Sequence, residues 1–192
     1  MKTTAYAILA VLSLASFAAA DLLTFQPENR DLSDLPHENY FTWGINVPLG
    51  AGQVITGASL TFANISDWTD EPNKLYVNLL DSAPLGVRTY TDHEGGGNNF
   101  ATSGISLVTY VNLPTTGQTL VYNFTAPQLA TLNQYIANGG NIALGIDPDC
   151  HFYNDGLSLQ LGSSPVPEPA SMGLIGLGGL AMLVRRCRRG QK

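Results

Sequence analysis

The sequence predicts a mainly β protein: an antiparallel β-sandwich or jelly roll with one short helix, plus an N-terminal signal peptide and a C-terminal transmembrane helix. Three observations carry that prediction. Apolar and polar residues alternate through a series of short runs, the period of a half-buried strand. Clusters of Gly, Pro and Asn punctuate those runs, and apolar spacing of three and four residues occurs in one segment of the domain only. Apolar stretches also occupy both ends of the 192 residues.

At the start, Lys2 supplies a positive charge and Ala5–Ala15 an apolar stretch, and Ala18-Ala19-Ala20 offers small residues for cleavage. Residues 1–20 are therefore expected to be a secretory signal peptide. The β-sandwich domain is expected at 21–163. Leu22–Phe25 reads as a short edge strand and 26–39 as a polar loop with Pro27, Pro36 and His37. Phe41, Trp43, Ile45 and Val47 then alternate with Thr42 and Asn46, which assigns Trp43 to the core. After a turn at Gly50–Gly52, Gln53–Ile65 is long for one strand, and Gly57 marks a bend or bulge inside it. Beyond that bend Leu60, Phe62 and Asn64 are expected on one face.

An acidic loop, Asp67–Asn73, leads into a strand at Lys74–Asp81, and Ala83-Pro84-Leu85-Gly86 turns the chain toward Val87–Thr91. A Gly- and Asn-rich loop at 92–99 precedes the alternating strand Ile105–Leu113; Pro114–Gln118 turns, and Thr119–Thr125 follows. Next comes the helix: Thr125 caps it, Pro127 suits its first turn, Leu129, Leu132 and Ile136 share a face, and Asn138-Gly139-Gly140 stops it. Strands at Asn141–Asp147 and Leu157–Leu161 flank a loop at 148–156, giving about eight strands in all.

The end of the chain has three parts in order. A Pro-rich spacer at 164–169 holds Pro167-Glu168-Pro169, an uncharged run covers 170–184, and Arg185, Arg186, Arg188 and Arg189 follow in the tail at 185–192. Prolines keep the spacer extended. A run without charge enters hydrocarbon as a helix whose backbone bonds are satisfied internally, and the arginines act as a stop-transfer signal that fixes that end in the cytoplasm. The run spans roughly 22 Å at ~1.5 Å per residue, less than a ~30 Å hydrocarbon core, so snorkelling arginines and local thinning must cover part of the gap. This tail resembles a PEP-CTERM sorting signal, the bacterial device of a Pro-Glu-Pro motif, a membrane span and an Arg-rich end. The resemblance implies recognition and cleavage by an exosortase, anchoring in the inner membrane before processing, and a host that makes exopolysaccharide. The domain itself resembles small exported β-sandwiches that carry such tails, some of them carbohydrate-binding.

Charge narrows the partners. Over 21–163, Arg30, Lys74 and Arg88 stand against ten aspartates and four glutamates, a net charge of −11 where the whole chain has −6. Such a surface argues against nucleic acid and anionic lipid headgroups, and suits cations or neutral polymers such as polysaccharide. Cys150 and Cys187 fall on opposite sides of the membrane in this topology, so no intramolecular disulfide is expected, and Cys150 is either buried or intermolecular.

Chemistry could reside in three places. Asp147, Asp149, Asn154 and Asp155 are candidate oxygen ligands for Ca²⁺, although their spacing is not that of an EF-hand and Asp-Pro and Asn-Asp-Gly are ordinary turn chemistry. Trp68, in the acidic loop, is the candidate stacking platform for a glycan, with Tyr90, Tyr110 and Tyr153 weaker ones. Asp92-His93-Glu94 beside three glycines is a candidate mobile binding loop. The chain has no Gly-x-Ser-x-Gly elbow, no phosphate-binding Gly-Lys-Ser/Thr loop and no paired zinc-ligand spacing. The expectation is a non-enzymatic structural, adhesive or carbohydrate-binding surface protein. The alternatives are a secreted carbohydrate-active enzyme, with carboxylates from 67–71 or 147–155, and a calcium-stabilised sandwich with no ligand of its own.

Overall fold

The computed structural model describes residues 21–28, 32, 34–93 and 96–166. The expected signal peptide, the Pro167-Glu168-Pro169 motif, the transmembrane span and the Arg tail lie outside the described residues. Among those described, no helix is long and apolar enough to cross a membrane.

The described residues form ten strands and one helix: β1 (Asp21–Phe25), β2 (Asn39–Asn46), β3 (Gln53–Asp67), β4 (Lys74–Leu80), β5 (Gly86–Thr91), β6 (Ile105–Val111), β7 (Gln118–Asn123), α1 (Ala126–Gly139), β8 (Asn141–Pro148), β9 (Phe152–Tyr153) and β10 (Gly156–Pro165). They make two sheets. One runs β1-β10-β3-β7 with β9 added on β3, the other β5-β2-β8-β4-β6, and every strand pair in both is antiparallel. Leu60, Phe62, Leu159 and Leu161 of the first sheet and Trp43, Val77, Leu144 and Ile146 of the second belong to one buried cluster, so the two sheets share a single core.

Alternation explains most of this burial. In β10, Leu157, Leu159 and Leu161 are buried while Ser158 and Gln160 are not. In β8 the outward positions are buried as well: the segment 96–104 lies over them, with the Phe100 ring against Gly145. A Cβ on Gly145 would sit 2.8 Å from that ring, so only glycine lets the segment lie this close.

Two bulges break β3. One falls at Gly57, as expected: Gly162 pairs with Gly57 but Ser163 pairs with Ile55. The other lies between Phe62 and Ile65, where Asn64 takes a left-handed backbone, φ 48°. This corrects the expected face. Asn64 leaves the Leu60–Phe62 row, and the extra residue turns Ile65 and Asp67 inward instead.

The helix begins and ends as its sequence predicts. Gln128 Oε1 accepts from the Thr125 backbone N–H at 2.9 Å, the reciprocal bond of a capping box, and Gly140 closes the other end in the left-handed region. Leu132 and Ile136 are its buried side chains. At the end of the described residues β10 extends past the expected domain boundary. Ser164 and Pro165 pair with Val54 and Gln53, so the spacer starts inside the sheet and not after it.

Candidate functional site

Three segments meet at one end of the molecule: the loop after β3, the turn between β8 and β9, and the segment before β2. Antiparallel pairing of Ser66 with Tyr153 and Asp67 with Phe152 joins the first two, and a bridge from Leu35 to Phe152 adds the third. The loop after β3 is held from beneath by Asn73. Its side-chain amide donates to Asp67 Oδ2 at 2.7 Å and to the carbonyls of Leu113 and Glu71, while its Oδ1 accepts from Leu113 N at 2.7 Å. Asp67, equally buried, accepts from the Trp68 backbone N–H at 2.9 Å.

This frame presents Trp68 outward, 55% exposed, whereas Trp43 is core at 3%. The indole N–H donates to Glu71 Oε1 at 3.1 Å. The Trp68 ring stacks on His151, with centroids 5.8 Å apart and planes at 27°, and His151 in turn lies 5.0 Å from the exposed Tyr153. The result is a short surface strip of three rings edged by Glu71 and by Asp34, whose Oδ2 is 3.7 Å from His151 Nε2. Hydrogen bonds from Cys150 and from the Trp68 indole hold the Glu71 carboxyl below its usual range. The Cys150 thiol lies 3.1 Å from Glu71 Oε1 and 3.2 Å from Asp67 Oδ1. Burial, followed by those two carboxylate contacts, pushes it up to about 12. A neutral thiol at neutral pH is a poor nucleophile.

The expected aromatic candidates therefore separate. Trp68 and Tyr153 share one surface. Tyr90 stacks on Tyr40 on the other sheet, at 5.1 Å. Tyr110 packs edge-on against Phe62 with its hydroxyl buried, so it offers no platform. Sequence reading missed His151 as the middle ring. His151 and Tyr153 stand two residues apart where the chain enters β9, and that spacing was the available signal.

The four candidate cation ligands separate too. Asp147 is fully buried on the outer side of β8, where Oδ2 accepts from Asn99 N at 2.6 Å and Asn99 Nδ2 at 3.1 Å. Asp149 Oδ1 accepts from Gly97 N at 3.1 Å, so both carboxylates face the segment 96–99. Asp155 is drawn elsewhere, bonding Asn64 Nδ2 at 2.7 Å. Asn154 is half-buried beside it. Burial raises the Asp147 carboxyl above its usual range, and the charges of Asp92 and Asp149 add to the effect. Asp92, in the candidate mobile loop, is itself buried, while Glu94 lies outside the described residues. Among the described residues, no group of three or more His, Cys, Asp or Glu is arranged to hold a metal ion.

An open groove of about 380 Å³ on the first sheet is lined by Thr56, Ser59, Asn123, Gln160 and neighbours, none of them a carboxylate, histidine or cysteine. No curated protein matches the chain. Among solved structures, recombinant latent aurone synthase (polyphenol oxidase) aligns with 79% of this chain and 29% of its own at 11% identity and a TM-score of 0.39. The enzyme from its natural source aligns over 70% and 26%, again at 11% identity, with a TM-score of 0.36. The chain spans less than a third of either, and likeness at this level supports no inference. Residues 165–189 match the PEP-CTERM protein-sorting motif, and this chain therefore carries the signal of an exported protein that an exosortase processes.

Proposed function

We propose that this chain is a non-catalytic jelly-roll module, sorted to the cell surface or extracellular matrix, that binds neutral polysaccharide through Trp68, His151 and Tyr153. The strand orders support the jelly-roll reading. With β5 and β9 set aside, β1-β10-β3-β7 and β2-β8-β4-β6 divide successive early strands between the two sheets, the pattern of paired Greek keys. The binding reading rests on one observation: an exposed indole held in place by Glu71 and stacked on a second ring. A flat ring fixed in advance spends little entropy when a sugar face covers it. The acidic surroundings disfavour polyanions and leave hydroxyl-rich neutral polymers the compatible class.

The test is binding of the full-length chain, purified in detergent, to a panel of neutral polysaccharides by affinity electrophoresis. Trp68→Ala should weaken binding by about 1–2 kcal/mol, roughly five- to thirtyfold, without changing thermal stability by more than a degree or two. Retention unchanged by that substitution would remove the assignment. Release of soluble sugar would favour the rival reading, a secreted carbohydrate-active enzyme.

A further inference from the structure

The outer side of the second sheet poses a question the aromatic strip does not answer. Asp147 has no solvent exposure, yet only one of its two carboxylate oxygens is satisfied. Oδ2 takes both Asn99 donors, while Oδ1 is buried and has no hydrogen-bond partner. Protonation does not settle the matter, because a carboxylic O–H at Oδ1 would itself need an acceptor. A buried oxygen in this state is costly unless water or a cation completes it. The surroundings are built to stay. Phe100 on Gly145 fixes the covering segment, Asn98 Nδ2 donates to Asn78 Oδ1 at 3.1 Å, and Asp149 binds Gly97 N. Asp92 and Asp149 both act on Asp147 as like charges, so anionic groups surround its buried carboxylate.

We propose that Asp147 Oδ1 and the Asp149 carboxylate hold a hard divalent cation, Ca²⁺ or Mg²⁺, beneath the segment 96–99, with backbone carbonyls and water as its other ligands. Oxygen donors and anionic charge select hard cations over soft ones. Two carboxylates are enough for a cation that retains several waters. The site differs from the one expected from sequence: it uses Asp147 and Asp149, and leaves Asn154 and Asp155 out.

Thermal unfolding of the full-length chain in detergent decides the matter, with chelator compared against millimolar CaCl₂ or MgCl₂. A cation that binds the folded state alone should raise Tm by several degrees in proportion to the logarithm of its concentration. Asp147→Asn should abolish that rise, because it keeps the acceptor for Asn99 and puts an N–H donor where the cation would need an oxygen. Asp149→Asn should reduce the rise and serves as the second variant if Asp147→Asn does not fold. Asp155→Asn should leave it intact. No shift with either salt would overturn the proposal. So would a shift that Asp155→Asn removes as fully as Asp147→Asn, which would indicate general screening of an acidic surface. A response retained in both Asp147→Asn and Asp149→Asn would overturn it as well.

Discussion

Asn73 shows how much of the exposed surface around Trp68 is decided by a buried residue beneath it. Its amide satisfies Asp67, Leu113 and Glu71 together, and Trp68 rests on the result. Tyr110 is the opposite case. Its hydroxyl is buried without a hydrogen-bond partner, and burial raises the phenol above its ordinary 10.0. The contribution of that shift is whole below pH 10, where folded and unfolded chains both keep the proton. Above it the unfolded chain releases the proton first, so stability falls as pH rises. Tyr110→Phe keeps the edge-on contact with Phe62 and removes the stranded hydroxyl. Urea unfolding should find the variant as stable as the parent or up to about 1 kcal/mol more stable, with a shallower loss in alkaline buffer. A clear destabilisation would mean that a water occupies the site.

At the scale of elements, α1 closes the end of the sandwich by hydrogen bonds as well as by Leu132 and Ile136. Gln128 joins two sheet edges: Oε1 accepts from Thr125 N and the Tyr122 hydroxyl, and Nε2 donates to the carbonyls of Ser106 and Leu107. β7 and β6 are the outermost strands of their sheets on that side, and Gln128 bridges them. Asn133 does similar work at the Gly57 bulge, bonding both the N–H and the carbonyl of Ile55 where β7 does not reach. The side chains thus occupy edges that would otherwise be open to pairing with another chain. Gln128→Ala should lower stability by about 1–3 kcal/mol, read from the urea midpoint, because four polar partners lose their bonds at once. An unchanged midpoint would show that water replaces the glutamine without loss.

For the molecule as a whole, the last strand runs almost directly into the sorting signal. Pro165 still pairs with Gln53, Val166 N donates to Gly52 O at 2.8 Å, and Pro167 is the next residue. The segment an exosortase must engage therefore starts where the sheet stops, with almost no intervening linker. Replacing Pro167, Glu168 and Pro169 together by alanine should leave the domain folded while the unprocessed chain accumulates in the membrane fraction. Cell fractionation followed by immunoblotting reads the outcome, and normal maturation of the variant would dissociate the motif from processing.

The sequence by itself determined the sorting signal, the β class, the helix with both its ends, and Trp43 as a core residue, while the outward setting of Trp68 was decided by the structure. Each of the former is a local pattern: a fixed order of residue types, a period of two, a cap three residues from its partner. Tertiary structure alone decided which carboxylates face one another. Asp147 and Asp149 meet a segment some fifty residues earlier, Asp155 meets Asn64, and Cys150 meets Asp67 and Glu71. The Asn64 bulge turned Ile65 inward for the same reason. Backbone phase and long-range pairing depend on what the neighbouring strand supplies, and no window along the chain contains that neighbour.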